Sequence, residues 1–330
     1  MKMSVMNKRH RLIPAAVAGT AALGLLTLSS CSVSDAADGS GGGGKLKVTA
    51  SFYPMEFLAK EIGGENVRVT ALTKPGVEPH DLELTPRQTA ALTKTDVIVY
   101  LKGLQPAIDE AVKQSGVKNT ADAASLTKLE EHGTEVDGHA HTTGDNHSGE
   151  GEAGADPHVW LDPVKYAEVA KGVGIAFAKA DPVHAAAYLV NADTLVKKLD
   201  ALNTEFADGL KNRASDTFIT THAAFGYLAE RYGLVEEAIG GIDPEAEPSG
   251  ARIKALQQLS AKHHVTTVFF ETLASNATAK TLAGDLKLRT AVLDPLEGIT
   301  DKSQGTDYFE VQRSNLKALR TALGSKGSTR

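Results

Sequence analysis

Apolar and polar positions follow two rhythms along residues 45–330. Short apolar or alternating runs at 46–52, 67–73, 97–101, 217–221, 265–270 and 290–293 predict β-strands. Between them, apolar positions at helical spacing predict helices over 53–62, 85–93, 105–115, 250–262 and 277–286. Strands alternating with helices predict an α/β fold with mainly parallel sheets. A span of about 285 residues is long for one core and sufficient for two. Two α/β lobes are therefore expected, over residues 45–180 and 214–330.

The stretch between them differs. Residues 163–210 carry helix formers and no strand signal. Asp181-Pro182 reads as a helix start, with the aspartate as N-cap and proline at the first helical position. From residue 183 to 211, Ala187, Leu189, Leu195, Leu199, Leu202 and Phe206 continue an apolar stripe. One helix of that length spans about 40 Å at 1.5 Å per residue. Residues 181–213 are thus expected to form a rigid connecting helix between the lobes; the alternative is two ordinary helices packed on one domain.

The first 30 residues lie outside this pattern. Lys2, Lys8, Arg9 and Arg11 precede an alanine-rich apolar run at 13–28 that is too short for a comfortable membrane span. The run ends in Leu28-Ser29-Ser30-Cys31, which holds the only cysteine of the chain. Small residues before a cysteine resemble the lipobox of bacterial lipoproteins, where the cysteine is acylated and becomes the mature N-terminus. A lone thiol has no disulfide partner, which agrees with that reading; an ordinary signal peptide with an incidental cysteine is the alternative. Acyl chains on Cys31 would anchor the protein stably on the extracytoplasmic face of the cell membrane. Residues 31–44, ending in Gly-Ser-Gly-Gly-Gly-Gly, form a flexible tether. Formal charge is -6 for the whole chain. Without the four basic leader residues it is about -10, and with no basic patch nucleic acid is not an expected partner.

Histidine carries the candidate chemistry. His80 lies in Gly-Val-Glu-Pro-His-Asp, after the strand run ending at Thr73. His158 lies in Asp-Pro-His-Val-Trp-Leu-Asp-Pro, and His222 ends the strand run over 217–221. In open α/β sheets binding sites form at the carboxyl ends of strands, and Pro79 and Pro157 each restrict the backbone before a histidine. Residues 130–155 are low-complexity and polar, are expected to be disordered without metal, and hold His132, His139, His141 and His147. Neutral imidazole is a good ligand for zinc, copper and nickel. Taken singly, His80 reads as solvated, His158 as packed beside Trp160, and His222 as a helix cap. Together with the histidine-rich tract they point to a transition metal. His10, His184, His263 and His264 sit in incidental positions.

The stretches at 76–86, 156–163 and 221–227, with Phe-Glu-Thr-Leu at 270–273 and Leu-Asp-Pro-Leu-Glu-Gly at 293–298, resemble the metal-binding solute-binding lipoproteins of bacterial ABC importers. Asp307-Tyr308-Phe309 and Asn315-Leu316-Lys317-Ala318-Leu319 extend the resemblance, which covers residues 45–323. It implies two α/β lobes joined by one long helix, with the ion in the cleft between them. It also implies an ABC permease and its ATPase as partners, and a chain acting as a monomer. Carried over by position, His80, His158 and His222 are metal ligands. The fourth ligand is Glu297, as in zinc members, with Asp294, three residues earlier, as the alternative used by manganese members. Glu271 matches a motif position near the site without being a direct ligand. The chain lacks the cysteine pair of some zinc members.

Three imidazoles with one carboxylate favour Zn2+ over manganese, which prefers more oxygen ligands; affinity order alone leaves copper and nickel open. The expected function is high-affinity capture of zinc and its delivery to the permease for import, with the loop histidines as accessory collectors; a manganese- or iron-binding member of the same family is the alternative. A zinc hydrolase would need an open coordination position and a nearby base, and neither His-Glu-x-x-His nor Gly-x-Ser-x-Gly is present. A surface adhesin is a third reading and would not require the cleft ligands.

Overall fold

A computed structural model describes residues 44–132, 155–244 and 246–325. The first lobe runs β1 (Leu46–Ala50), α1 (Tyr53–Gly63), β2 (Val67–Ala71), α2 (Pro86–Leu92), β3 (Val97–Tyr100), α3 (Pro106–Ser115), β4 (Thr120–Asp122) and α4 (Ala123–Leu126). Two long helices follow, α5 (Pro163–Ala180) and α6 (Ala185–Gly209). The second lobe runs β5 (Thr217–Thr220), α7 (Gly226–Tyr232), β6 (Val235–Ala238), α8 (Gly250–Lys262), β7 (Thr267–Phe270), α9 (Ala277–Leu286), β8 (Arg289–Val292) and α10 (Tyr308–Ala322).

Both sheets are parallel throughout and share one strand order, β2-β1-β3-β4 in the first lobe and β6-β5-β7-β8 in the second. The chain steps from the first strand to one side and then returns to its other side. That reversal leaves a crevice at the carboxyl ends of β1 and β3, and of β5 and β7, where ligands of α/β sheets bind. The two α/β lobes expected from the sequence are present.

The differences are local. β4 and β6 were not expected, because Thr-Ala-Asp and Val-Glu-Glu-Ala are short, polar edge strands with no apolar run to mark them. The expected runs over 46–52 and 67–73 outlast their regular strands by two residues. Backbone bonding continues there, from Leu72 N to Ala50 O at 2.9 Å and from Thr73 N to Ser51 O at 3.0 Å, as the chain turns into loops. Helix limits agree better, since their starts are chemically marked. Thr85 and Gln88 form a capping box on α2 and Ser249 caps α8, whereas α4, α7 and α10, the last capped by Asp307, are not among the helices expected from the sequence.

Neither reading of the middle stretch describes it fully. Its second helix, α6, is the expected connector, 25 residues long, or about 37 Å. It pairs with α5 as a hairpin rather than standing alone. Asp181 starts only a 3-10 turn over Pro182–His184; its carboxylate accepts from His184 Nδ1 at 2.7 Å and Tyr188 OH at 2.8 Å, not from the α6 backbone. Along its length α6 touches both lobes. Asn191 donates to Ile62 O at 2.9 Å on α1, and Asn203 accepts from Tyr232 OH at 3.1 Å on α7.

One apolar core runs through both lobes, while the outer face of each sheet packs a smaller cluster of its own. Tyr308 of α10 lies against Tyr166 and Phe57, with ring centroids 4.8 and 5.3 Å away, and donates to Trp160 O at 2.7 Å. Trp160, fully buried, donates from Nε1 to Pro295 O at 2.7 Å. Arg231 of α7 binds Asp162 at the start of α5 through Nε at 2.9 Å and Nη2 at 2.7 Å. The lobes are therefore joined by aromatic packing and directed hydrogen bonds as well as by chain connection.

Candidate metal centre

Each of the three histidines singled out by sequence is placed by its own local device. Gln105, just before α3, holds the loop after β2 by donating to Pro79 O at 3.0 Å and Thr73 Oγ1 at 3.2 Å. That sets His80 next to the crevice of the first lobe. Asp156 Oδ1 accepts from the backbone N of His158 at 2.9 Å and lies 2.7 Å from its Nδ1, which fixes both chain and ring. His222 follows β5, and its Nδ1 lies 2.7 Å from Glu271 Oε1 at the end of β7. This pair occupies the strand reversal of the second lobe.

Their outer nitrogens converge on one carboxylate. Glu297 Oε1 is 3.1 Å from Nε2 of His80, 3.3 Å from Nε2 of His158 and 3.6 Å from Nε2 of His222. Ring centroids of the three imidazoles stand 5.5, 5.6 and 6.2 Å apart. One ligand atom from each of the four residues lies within 4.8 Å of the others, a spacing that could hold a metal ion. His158, His222 and Glu297 are buried, and His80 is the partly exposed member, with 11% of its side chain accessible. Nε2 of His158, Nε2 of His222 and Oε2 of Glu297 are buried without a hydrogen bond inside the protein. Such atoms call for a partner, and three imidazole nitrogens with a carboxylate are the donor set of a four-coordinate zinc site.

The electrostatics bind the cluster together. Burial opposes charge on His158, but Asp156 and Glu297 overcome it and hold the imidazole up to about 9. Burial likewise disfavours charge on His222, and Glu271 with Glu297 raise it well above the usual histidine range. Glu297 resists ionisation through burial, yet His158, His222 and His80 hold it well below the usual carboxylate range. A divalent cation can take over the role of those protons.

Glu297 and Asp294 have different surroundings. Asp294 is spent on building the turn: Oδ1 accepts from Leu296 N at 2.8 Å, and Oδ2 accepts from Thr272 Oγ1 at 3.2 Å. Asn315 clamps its backbone from both sides, accepting from N at 2.9 Å and donating to O at 2.7 Å. Leu296 is then held at φ 60, rare for a branched side chain. The turn sends Glu297, not Asp294, into the group of four.

Some site residues were not foreseen. Asp156 belongs to the motif at 156–163, but its role in orienting His158 was not expected; an acidic residue two positions before a proline-restricted histidine is its sign in the sequence. Glu78 approaches Glu271 and Glu297, and burial with the charge of Glu297 pushes it up to about 8. The polar tract is ordered at its base, contrary to expectation. Tyr227 OH accepts from Glu130 N at 2.8 Å and donates to Asp156 O at 2.7 Å, while Asp156 N donates to Glu130 O at 2.9 Å. His132 is fixed there rather than in a floppy loop, its Nδ1 2.9 Å from Asp156 Oδ2. His139, His141, His147 and Cys31 lie outside the described residues.

Residues 48–322 match the family model described as ZnuA, zinc-uptake complex component A, periplasmic. The zinc-binding protein AdcA of Streptococcus pyogenes serotype M3 is 37% identical over 297 residues, which cover 86% of this chain and 57% of that protein. The chain thus spans somewhat over half the length of the curated relatives it matches first. The high-affinity zinc uptake system protein ZnuA of Bacillus subtilis is 32% identical, covering 85% of this chain and 88% of that one. Among solved structures, the Zn(II)-bound ZnuA-like domain of AdcA from Streptococcus pneumoniae superposes with a TM-score of 0.70 at 30% identity, covering 85% of this chain and 99% of that domain. With a family match over residues 48–322, most of its length, the chain belongs to the ZnuA family of periplasmic zinc-uptake components.

Proposed function

We propose that this protein captures one zinc ion outside the cytoplasm, between its two lobes, and presents it to an ABC permease for import. The ligands are Nε2 of His80, His158 and His222 and the carboxylate of Glu297. The observation that carries this reading is the convergence of three imidazole nitrogens on one buried carboxylate, two of them oriented from behind by Asp156 and Glu271. Carboxylates behind the ligating histidines fix ring orientation and raise ligand basicity. One oxygen donor among three nitrogens suits zinc better than manganese. The names of the relatives point the same way.

Four side chains complete a tetrahedral site, which favours cargo binding over hydrolysis, where a coordination position stays open for water. His80, partly accessible on the loop after β2, is the side from which the ion enters. Acylation at Cys31 would keep the protein on the outer face of the cell membrane, near its permease and ATPase. The chain would act there as a monomer. The loop histidines His132, His139, His141 and His147 would collect zinc weakly and pass it inward.

Metal content after equilibration with equimolar zinc and manganese tests the assignment. One zinc per chain at the cleft, with manganese left in solution, is the expected result. Preferential retention of manganese would overturn the zinc reading. Growth of a deletion strain in zinc-depleted medium, restored by the wild-type chain but not by His158→Ala, tests the role in import.

A further inference from the structure

The amino ends of the first lobe's strands form a pole that the metal centre does not use. Its sheet is parallel, so every strand runs from this pole toward the crevice. The two ends lie a strand's length apart, about 17 Å along β1 at 3.3 Å per residue. A cavity of about 550 Å³ opens at the pole, lined by Lys45, Asp96, Lys118, Asn119, Asp181 and Pro182 among others. Its two carboxylates are already engaged. Asp96 Oδ2 accepts from Lys47 N at 2.8 Å, while Asp181 Oδ2 accepts from Tyr188 OH at 2.8 Å and lies 2.7 Å from His184 Nδ1. Lys45, Lys47, Lys94 and Lys118, at or just before the starts of β1, β3 and β4, are all exposed.

The link between α5 and α6 adds an apolar tip beside these lysines. Among the described residues six large hydrophobic side chains are exposed. Four of them, Ile175, Val183, Leu189 and Val190, fall in the last two turns of α5, the link itself and the first two turns of α6. Val183 is 87% exposed, and its neighbours Asp181 and Pro182 line the cavity. Scattered exposed apolar residues are ordinary, but a concentration at one end of a molecule marks an interaction surface.

We infer that this pole is a membrane-docking face, which rests on anionic phospholipid with the lysines at the phosphates and the apolar tip at headgroup level. The place where the chain enters the fold selects lipid as the occupant. Gly44 lines the cavity and lies 13 positions after Cys31. A flexible tether of that length averages about 20 Å and reaches at most about 45 Å, so an anchor at Cys31 holds this pole close to the bilayer. Charge agrees: exposed lysines gathered on a chain of formal charge -6 complement anionic headgroups. A small apolar tip flanked by long cationic side chains also suits the interface between headgroups and acyl chains. No basic run marks the pole in the sequence, because its lysines come from separate turns. The position of the face is read from the fold, whereas its strength rests on the anchoring proposed at Cys31, since weak surface contacts become effective beside an acyl anchor. Docked in this way, the cleft at the other end of the strands stays clear of the bilayer.

The test couples residues 31–330 through Cys31, the only thiol of the chain, to a maleimide lipid in phosphatidylcholine vesicles with or without phosphatidylglycerol. Amide hydrogen exchange is then read by mass spectrometry. Chemical coupling supplies the anchor, so the result is independent of acylation in the cell, which membrane fractionation of the Cys31→Ala chain tests separately. On phosphatidylglycerol vesicles, exchange over residues 116–119 and 181–190 should slow at least about fivefold relative to neutral vesicles. Residues 76–82 around His80 should not change. Lys45→Glu, Lys118→Glu and Val183→Ser together, all at exposed positions, should abolish the slowing while zinc content stays that of the unaltered chain, which shows the fold intact. Equal exchange on the two vesicle types, or slowing that survives the triple variant, would overturn the proposal. So would slowing that grows with protein density on neutral vesicles, which would identify a second copy of the chain as the occupant.

Discussion

Glu271 Oε1 lies 2.7 Å from Nδ1 of His222, so the end of β7 fixes the ring that the end of β5 presents. The two strands are neighbours, and the pair straddles their carboxyl ends. Replacing Glu271 with Gln keeps the shape and removes the charge. Zinc affinity should fall about 10–100-fold with one ion still bound, as for other outer partners of ligating histidines. Competition against a chelator reads this directly; a change under about twofold would mean that the contact does not support the ligand.

Asp294 and Glu297 are expected to separate stability from binding. Asp294→Ala removes acceptors for Leu296 N and Thr272 Oγ1, which should cost about 1–3 kcal/mol of stability per group left unsatisfied. Glu297→Ala should abolish tight zinc binding while affecting the turn less. Thermal unfolding without metal and zinc titration of both variants check the contrast. Tight binding retained in Glu297→Ala and lost in a folded Asp294→Ala would reverse the ligand assignment.

Protonation gives opposite signs with and without metal. His158, held up to about 9, and His222, also raised, contribute stability to the metal-free fold that is fully present below about 6.5. That contribution is lost as pH rises through the folded values. Glu297, held low, contributes stability above about 4.3 that is lost in acid as pH falls through its folded value. From these groups, metal-free stability should be greatest between about pH 4.5 and 6.5 and decline toward pH 9.5. Zinc must displace the imidazole protons, so its affinity should keep rising up to about pH 9. Melting curves and chelator competition across this range test both trends. Affinity that levels off near pH 6.5 would contradict the raised imidazoles.

Trp160 joins stability to binding across the lobes. Its Nε1 donates to Pro295 O, two residues before Glu297. Trp160→Phe should cost about 1–3 kcal/mol by leaving that buried carbonyl unpaired. It should also weaken zinc by loosening the turn that aims Glu297. Unchanged affinity in a destabilised protein would limit the bond to a structural role.

How much of this the sequence disclosed varies by residue. His80, His158 and His222 could be read because prolines and strand ends marked them. Glu297 and Asp294 could not be separated by residue type, since the choice depends on a turn in which Asp294 binds backbone and Leu296 takes a positive φ. β4 and β6 were hidden because a polar edge strand has no apolar period. His132 resembled its neighbours in the tract; only the fold brings Tyr227, Gly226 and Asp156 around it.

The cleft is expected to hold one zinc through His80, His158, His222 and Glu297. The most direct measurement is chelator-competition titration of the protein lacking residues 133–154, compared with the same protein carrying His222→Ala. One tight zinc per chain in the first is the predicted result. In the second, the loss should exceed the about 10–100-fold typical of an outer partner. Tight zinc that survives His222→Ala, or that disappears with residues 133–154 while the fold is intact, would contradict the account.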